Sequence, residues 1–204
     1  MLFFVISALL SLQVEALPNV FQYEIAKAQS FVHTFEMPRK ENYPSEGQRK
    51  LGPAKWEDCS STAPLVNIKS LSITPDPLHF PGPLDVAAEF TIKENLLAPL
   101  KVDLLIKKKI LGTYIEIPCI DNFGSCKYDD ICQVLSQVGD QCPDPLKKIG
   151  IKCSCPFGKG TYNLPKTEFD LTADVIPSGE YEIQANVTMQ GAEVVCLKLF
   201  LIVE

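Results

Sequence analysis

GEYEIQANVTMQGAEVVCLKLFLIV, Gly179–Val203, is the stretch that decides the fold. Tyr181, Ile183, Ala185, Val187 and Met189 alternate with Glu180, Glu182, Gln184, Asn186, Thr188 and Gln190. A period of two belongs to a β-strand with one buried face. The run that follows is apolar on both faces, with Val195, Leu197, Leu199, Leu201 and Val203 on one and Val194, Phe200 and Ile202 on the other. Burial on both sides means cover by another layer. A face that lines an apolar cavity gives the same pattern, and the sequence leaves both readings open.

Upstream segments repeat the alternation. Leu84, Val86, Ala88, Phe90 and Ile92 form one stripe, and Leu100, Val102, Leu104 and Ile106 another. Val66 and Ile68 are followed by Leu71 and Ile73, so the phase changes at Ser70, the mark of a β-bulge. Pro75-Asp76-Pro77 and Pro81-Gly82-Pro83 cut the runs into short pieces. Only Tyr128–Val138 has helical spacing, through Ile131, Val134, Leu135 and Val138. The expected fold is an all-β antiparallel cup or sandwich with one short helix.

Met1–Ala16 reads as a signal peptide: an apolar run, Leu2–Leu12, ending in Val14-Glu15-Ala16. The run is short of the ~20 residues that span a bilayer, and no later segment makes an anchor. Leu17–Lys55 carries the basic pairs Arg39-Lys40 and Arg49-Lys50, the prolines Pro38, Pro44 and Pro53 among others, and a weak amphipathic pattern from Phe21 to Phe35. It reads as an arm or pro-segment, its basic pairs either processing points or incidental charge. Trp56–Glu204 then forms a single domain.

The chain has 8 cysteines, all between Cys59 and Cys196. Behind a leader, an even count reads as a disulfide framework. Spacing alone does not choose the pairing. Cys153-Ser154-Cys155 is closer than the usual zinc-ligand spacing and has no matching pair, so no metal is expected. No cofactor motif occurs. With 2 histidines, His33 and His79, and no HExxH, GxSxG or P-loop, the chain is not expected to be an enzyme. Asp129-Asp130 is explained by the helix dipole. A net charge of −6 argues against nucleic acid, and Lys101 with Lys107-Lys108-Lys109 reads as a solvated strand end. Asn186-Val187-Thr188 is a glycosylation sequon, with Asn186 on the polar side of its strand.

Several runs stand in one order: Trp56-Glu57-Asp58-Cys59, Pro75-Asp76-Pro77, Pro99–Leu104, Ile115-Glu116-Ile117-Pro118-Cys119, Cys153–Phe157 and Gly160–Lys166, closed by Cys196. Together they resemble the sphingolipid activators of the ML lipid-recognition domain family, over residues 56–203. The resemblance implies a β-cup around an apolar lipid cavity, and the pairs Cys59–Cys196, Cys119–Cys126, Cys132–Cys155 and Cys142–Cys153. It implies a non-catalytic lipid-binding and transfer protein, secreted or in the lysosomal lumen. Such a protein extracts a glycosphingolipid or phospholipid through transient membrane contact and presents it to a soluble glycosidase, a lysosomal β-hexosaminidase.

The candidate lipid-binding residues are Tyr114, Ile115, Ile117, Val175, Ile176, Leu197, Leu199 and Phe200. Tyr114 is the rim candidate, although an aromatic packed on a neighbouring strand would look the same. The chain departs from the family pattern at Val175–Gly179, which is short and lacks a tryptophan, and at the shortened Cys132–Cys142 segment. A second reading is a secreted lipid-sensing or protein-interaction factor without an activator role.

Overall fold

The structure, a computed structural model, describes residues 54–61, 63–79, 81–138, 142–171 and 176–204. The leader, nearly all of the arm and Val175 lie outside the described residues. Nine strands and two helices follow in the order β1 (Lys55–Asp58), β2 (Val66–Thr74), β3 (Gly82–Ile92), β4 (Leu100–Ile110), β5 (Thr113–Glu116), β6 (Lys127–Tyr128), α1 (Ile131–Val138), α2 (Asp144–Lys148), β7 (Gly160–Leu171), β8 (Gly179–Met189) and β9 (Ala192–Val203).

Two antiparallel sheets face each other. One has the order β1-β9-β8-β4-β5, with β6 also paired to β4; the other has the order β2-β3-β7. The alternating stripes set the register. Val102, Val187 and Val195 lie in one row across the large sheet, and Ile106, Ile183 and Leu199 in another. Opposite them, Val86 and Ala88 of β3 align with Ile73 and Leu71 of β2. The expected bulge in β2 is a register shift between Ile68 and Ser70. Further shifts at Val86/Ala88 and Val187/Thr188 bend the sheets.

Two boundaries differ from the sequence expectation. Tyr128 belongs to β6, and α1 starts at Ile131 because Asp130 caps it. The Asp130 carboxylate accepts the Cys132 amide at 3.0 Å and the Leu100 amide at 3.1 Å, so one side chain ties the helix to β4. The second helix, α2, was not foreseen. It is five residues long and buries only Leu146, too short for helical periodicity to show.

The sandwich is closed along one side and at one end. The Ala54 amide donates to the Ile73 carbonyl at 2.9 Å, and the Leu65 amide to the Glu193 carbonyl at 3.3 Å, joining the two sheets along β2 and β9. At the braced end, Leu96 and Phe157 exchange backbone hydrogen bonds beside α1. Leu96, Leu100, Ile131 and Val194 there are 0% exposed.

Four disulfides complete the frame: Cys59–Cys196, Cys119–Cys126, Cys132–Cys155 and Cys142–Cys153. The first spans 137 residues, and a closure that long contributes about 5 kcal/mol in the chain-entropy picture. Cys132–Cys155 and Cys142–Cys153 hold the helices and their loops, and Cys119–Cys126 closes the loop before β6.

Candidate functional site

The inner faces of both sheets are mainly apolar, yet they are not fully covered. Phe90 and Phe169 on the small sheet, and Ile106, Ile183 and Leu201 on the large one, remain half-buried although they point between the sheets. A filled sandwich would bury such rows as completely as Leu197 and Leu199, which are 2% and 1% exposed. Open space therefore remains between the sheets, on the side away from the β2–β9 seam.

Against the small sheet lies a cavity of about 320 Å³, whose lining comes from β3, β7 and the segment 150–158, Lys152 and Ser154 included. Its floor is the inner face of β3 and β7, from Phe90, Ile92 and Tyr162, and its wall is the segment Gly150–Gly158. The Phe90 and Tyr162 rings stack with centroids 5.4 Å apart, and the Tyr162 hydroxyl donates to the Gly158 carbonyl at 2.7 Å. That bond turns the one polar group of the floor onto the wall and leaves the ring face to the cavity. The volume lies at the small end of the usual ~300–1,000 Å³ for small-molecule sites.

The rim is equally uneven. Of the large apolar side chains exposed among the described residues, all but Leu97 lie between residues 110 and 123: Ile110, Leu111, Ile115, Ile120 and Phe123. The β4–β5 turn carries Leu111 at φ 51° and Gly112 at φ 86°, the backbone of a two-residue hairpin. Leu111 is 85% exposed. The turn requires the left-handed backbone, but a leucine there is costly in conformation and in the exposure of its side chain, and the turn gains nothing from the side chain being apolar. Ile120 and Phe123 exchange backbone hydrogen bonds at 2.8 Å in the loop closed by Cys119–Cys126, which presents both side chains beside the hairpin edge.

The sequence candidates divide between these surroundings. Ile115 pairs with Lys108 of β4 and shares the inner face at the hairpin edge, where it is 50% exposed. Ile117, half-buried, follows it and donates its amide to the Ile106 carbonyl at 2.8 Å. Ile176 is half-buried just before β8. Leu197 and Leu199 form solid core.

Tyr114 pairs with Lys109 and so lies on the outer face, where Lys109 Nζ stands 5.9 Å from its ring centroid. Phe200 is also outward, in register with Lys55 and Glu182, with Lys55 Nζ 5.0 Å over its ring. These two aromatics carry the ion-paired outer face rather than the inner one. Sequence reasoning did not single out Phe90, Ile92, Tyr162 or the Gly150–Gly158 wall. The β3 stripe was visible, but that a disulfide-held loop stands off from it is a tertiary fact.

Electrostatics of the outer face also depart from expectation. Lys107 pairs with Glu182 at 3.1 Å and Lys109 with Glu180 at 2.8 Å, so these lysines knit β4 to β8 instead of ending a solvated strand. Burial pushes the Tyr181 and Tyr128 hydroxyls up from their ordinary pKa. Asn186, between Asp103 and Cys196, has a buried Oδ1 without a hydrogen bond, so its amide is not wholly turned to solvent. Among the described residues no three His, Cys, Asp or Glu side chains gather as a metal site.

Comparison with known proteins adds an independent line. A family model described as the ML domain matches residues 53–203. Ganglioside GM2 activator of Macaca fascicularis is 38% identical over 158 residues, covering 74% of this chain and 83% of that protein. Its Mus musculus counterpart is 37% identical over 157 residues, covering 74% and 81%. Among solved structures, a Niemann-Pick type C2 protein from Japanese carpenter ant aligns over 74% of this chain and 99% of its own, at 19% identity and a TM-score of 0.42. A superposition at that level bears on neither ligand nor partner.

Proposed function

The chain belongs to the ML domain family, and from that premise we propose that it is a non-catalytic lipid carrier. It takes the apolar part of a membrane glycolipid between its two sheets and presents the headgroup to a soluble glycosidase. The relatives' name, ganglioside GM2 activator, supports a ganglioside as cargo and a β-hexosaminidase as the enzyme served. The observation that carries the reading is the pair of apolar inner faces left half-covered, with a cavity of about 320 Å³ on one of them.

Physically the task is a matter of replacing one apolar environment with another. Each methylene lifted from a bilayer into water costs about 0.8 kcal/mol. A soluble carrier must match that with dry surface, which half-covered Phe90, Ile106, Phe169, Ile183 and Leu201 supply. Ile115, Ile117 and Ile176 would flank the entrance, with Val175 beside them in sequence. Membrane contact is assigned to the apolar edge formed by Ile110, Leu111, Ile115, Ile120 and Phe123. Full burial of such a side chain is worth about 1.5–3 kcal/mol, of which Leu111 gains most and the other four, already partly covered, a share. This makes sense of the exposed leucine at the turn.

The leader and the four disulfides support passage through the secretory pathway to the exterior or the lysosomal lumen. Asn186 is then open to glycosylation: its Oδ1 faces the protein, and a glycan would grow from Nδ2 on the outer face, away from the entrance.

The test is vesicle-to-vesicle transfer of labelled gangliosides, followed by hydrolysis with β-hexosaminidase in the presence and absence of the protein. Transfer together with stimulated hydrolysis is expected. Transfer without stimulation would leave a carrier that serves no such enzyme. No transfer at all would overturn the reading.

A further inference from the structure

The inner-face rows of β3, β4, β5, β7, β8 and β9 contain one charged side chain, Lys108. It follows Leu104 and Ile106 along β4, and its neighbours in register are Ile115 of β5 and Tyr181 of β8, with Leu201 next on β9. The adjacent lysines, 107 and 109, point the other way and pair with glutamates. A cation among apolar side chains is costly unless something compensates it, and Lys108 has a further interaction within the protein; it is its place at the end of the apolar rows that bears on a ligand.

Its position is also fixed. Lys108 Nζ stands 5.8 Å from the centroid of the Tyr181 ring, and that ring is anchored by its hydroxyl, which donates to the Pro177 carbonyl. The lysine stem lies over Gly179: a Cβ built there would meet Lys108 Cε at 2.7 Å, and the backbone at φ 149° suits glycine in any case. Thus a ring on one side and a glycine on the other hold the ammonium at the end of the apolar rows. That end carries the exposed hairpin, two residues further along β4.

We propose that Lys108 is the headgroup anchor of the cleft, selecting lipids whose head carries an anionic oxygen group, whether phosphate, sulfate or carboxylate. This rests on the carrier reading above and narrows it to a ligand class. With chains between the sheets, the first polar atoms of the ligand emerge at the row of Lys108, where low-dielectric walls on both sides strengthen attraction to a fixed cation. Lys108 has a further interaction within the protein, so the headgroup shares this ammonium with it. An apolar entrance alone would rank ligands by chain length; one with a fixed cation ranks them by head charge as well.

The experiment measures uptake of three water-dispersed short-chain lipids with equal chains by native mass spectrometry: phosphatidylglycerol, a monosialylated ganglioside and its asialo counterpart. The wild type is expected to prefer both anionic lipids over the neutral one, and rising salt should erode that preference. Lys108→Met, which keeps the length of the stem, should lower anionic uptake roughly tenfold and leave the neutral lipid unchanged. Lys108→Arg should retain the preference. If only one anionic lipid is affected, the anchor is specific to phosphate or to carboxylate accordingly.

Equal uptake of charged and neutral lipids by the wild type, insensitive to salt, would overturn the anchor while leaving the carrier standing. Uptake of none of the three would overturn both. Should Lys108→Met fail to fold, the salt titration of the wild type still decides.

Discussion

The braced end and the hairpin edge of this sandwich are built from similar residues and arranged for opposite ends. At the braced end, Leu96, Leu100, Ile131 and Val194 are sealed from solvent under α1, and the disulfides Cys132–Cys155 and Cys142–Cys153 hold the loops around them. At the hairpin edge, Ile110, Leu111 and Ile115 are exposed, with no helix across them among the described residues. Hydrophobicity therefore says little by itself about role. What separates the two regions is whether a covering layer exists, and here the stable region frees the other from having to bury its apolar side chains.

The contrast can be broken in steps. Removing the long-range disulfide with Cys59→Ser and Cys196→Ser should cost the most, about 5 kcal/mol, seen as a large fall in the denaturant midpoint. Retained stability would mean that the sheet pairing alone fixes the chain ends. Next, Ile131→Ala opens a void under α1 and should cost ~2–5 kcal/mol by the same measurement. A loss under ~1 kcal/mol would show that the braced end is not close-packed.

The hairpin should respond in the opposite sense. Leu111→Ser with Ile115→Ser is expected to change stability by less than ~0.5 kcal/mol and to reduce vesicle binding at least tenfold in a flotation assay. Unchanged flotation would remove the hairpin from the membrane surface.

The smallest effect concerns Tyr181 and Tyr128. Burial raises both hydroxyls above the ordinary value of 10.0, so the folded state holds these protons more tightly than the unfolded one. Their contribution is fully present below pH 10 and is lost as pH rises above it, by at most about 1.4 kcal/mol per pH unit for each tyrosine. Tyr181→Phe should flatten that alkaline slope in urea titrations, and an unaltered slope would assign it elsewhere.

Much of the frame was legible in the chain. Period-two stripes gave β3, β4 and β8, the phase change at Ser70 gave the β2 bulge, and helical spacing gave α1, though its start moved from Tyr128 to Ile131. These are local signals, carried by neighbours in sequence. The site was less legible because it depends on which face of a strand meets which partner. Tyr114 looked like a rim residue, yet the hairpin register turns it outward and leaves Ile115 inside. Phe200 belonged to a run apolar on both faces, and only the pairing with Lys55 shows which face it took. Lys108 was hidden within three consecutive lysines, where composition suggested a solvated cluster; strand alternation alone separates it from its neighbours.

The central claim, that the half-covered space between the sheets holds lipid, is tested most directly by native mass spectrometry of the full chain recovered from a secretory host. The expected result is a folded protein carrying a discrete added mass that is released as a single lipid on denaturation, and that exchanges for ganglioside supplied in vesicles. A protein of bare polypeptide and glycan mass, before and after exposure to those vesicles, would contradict it.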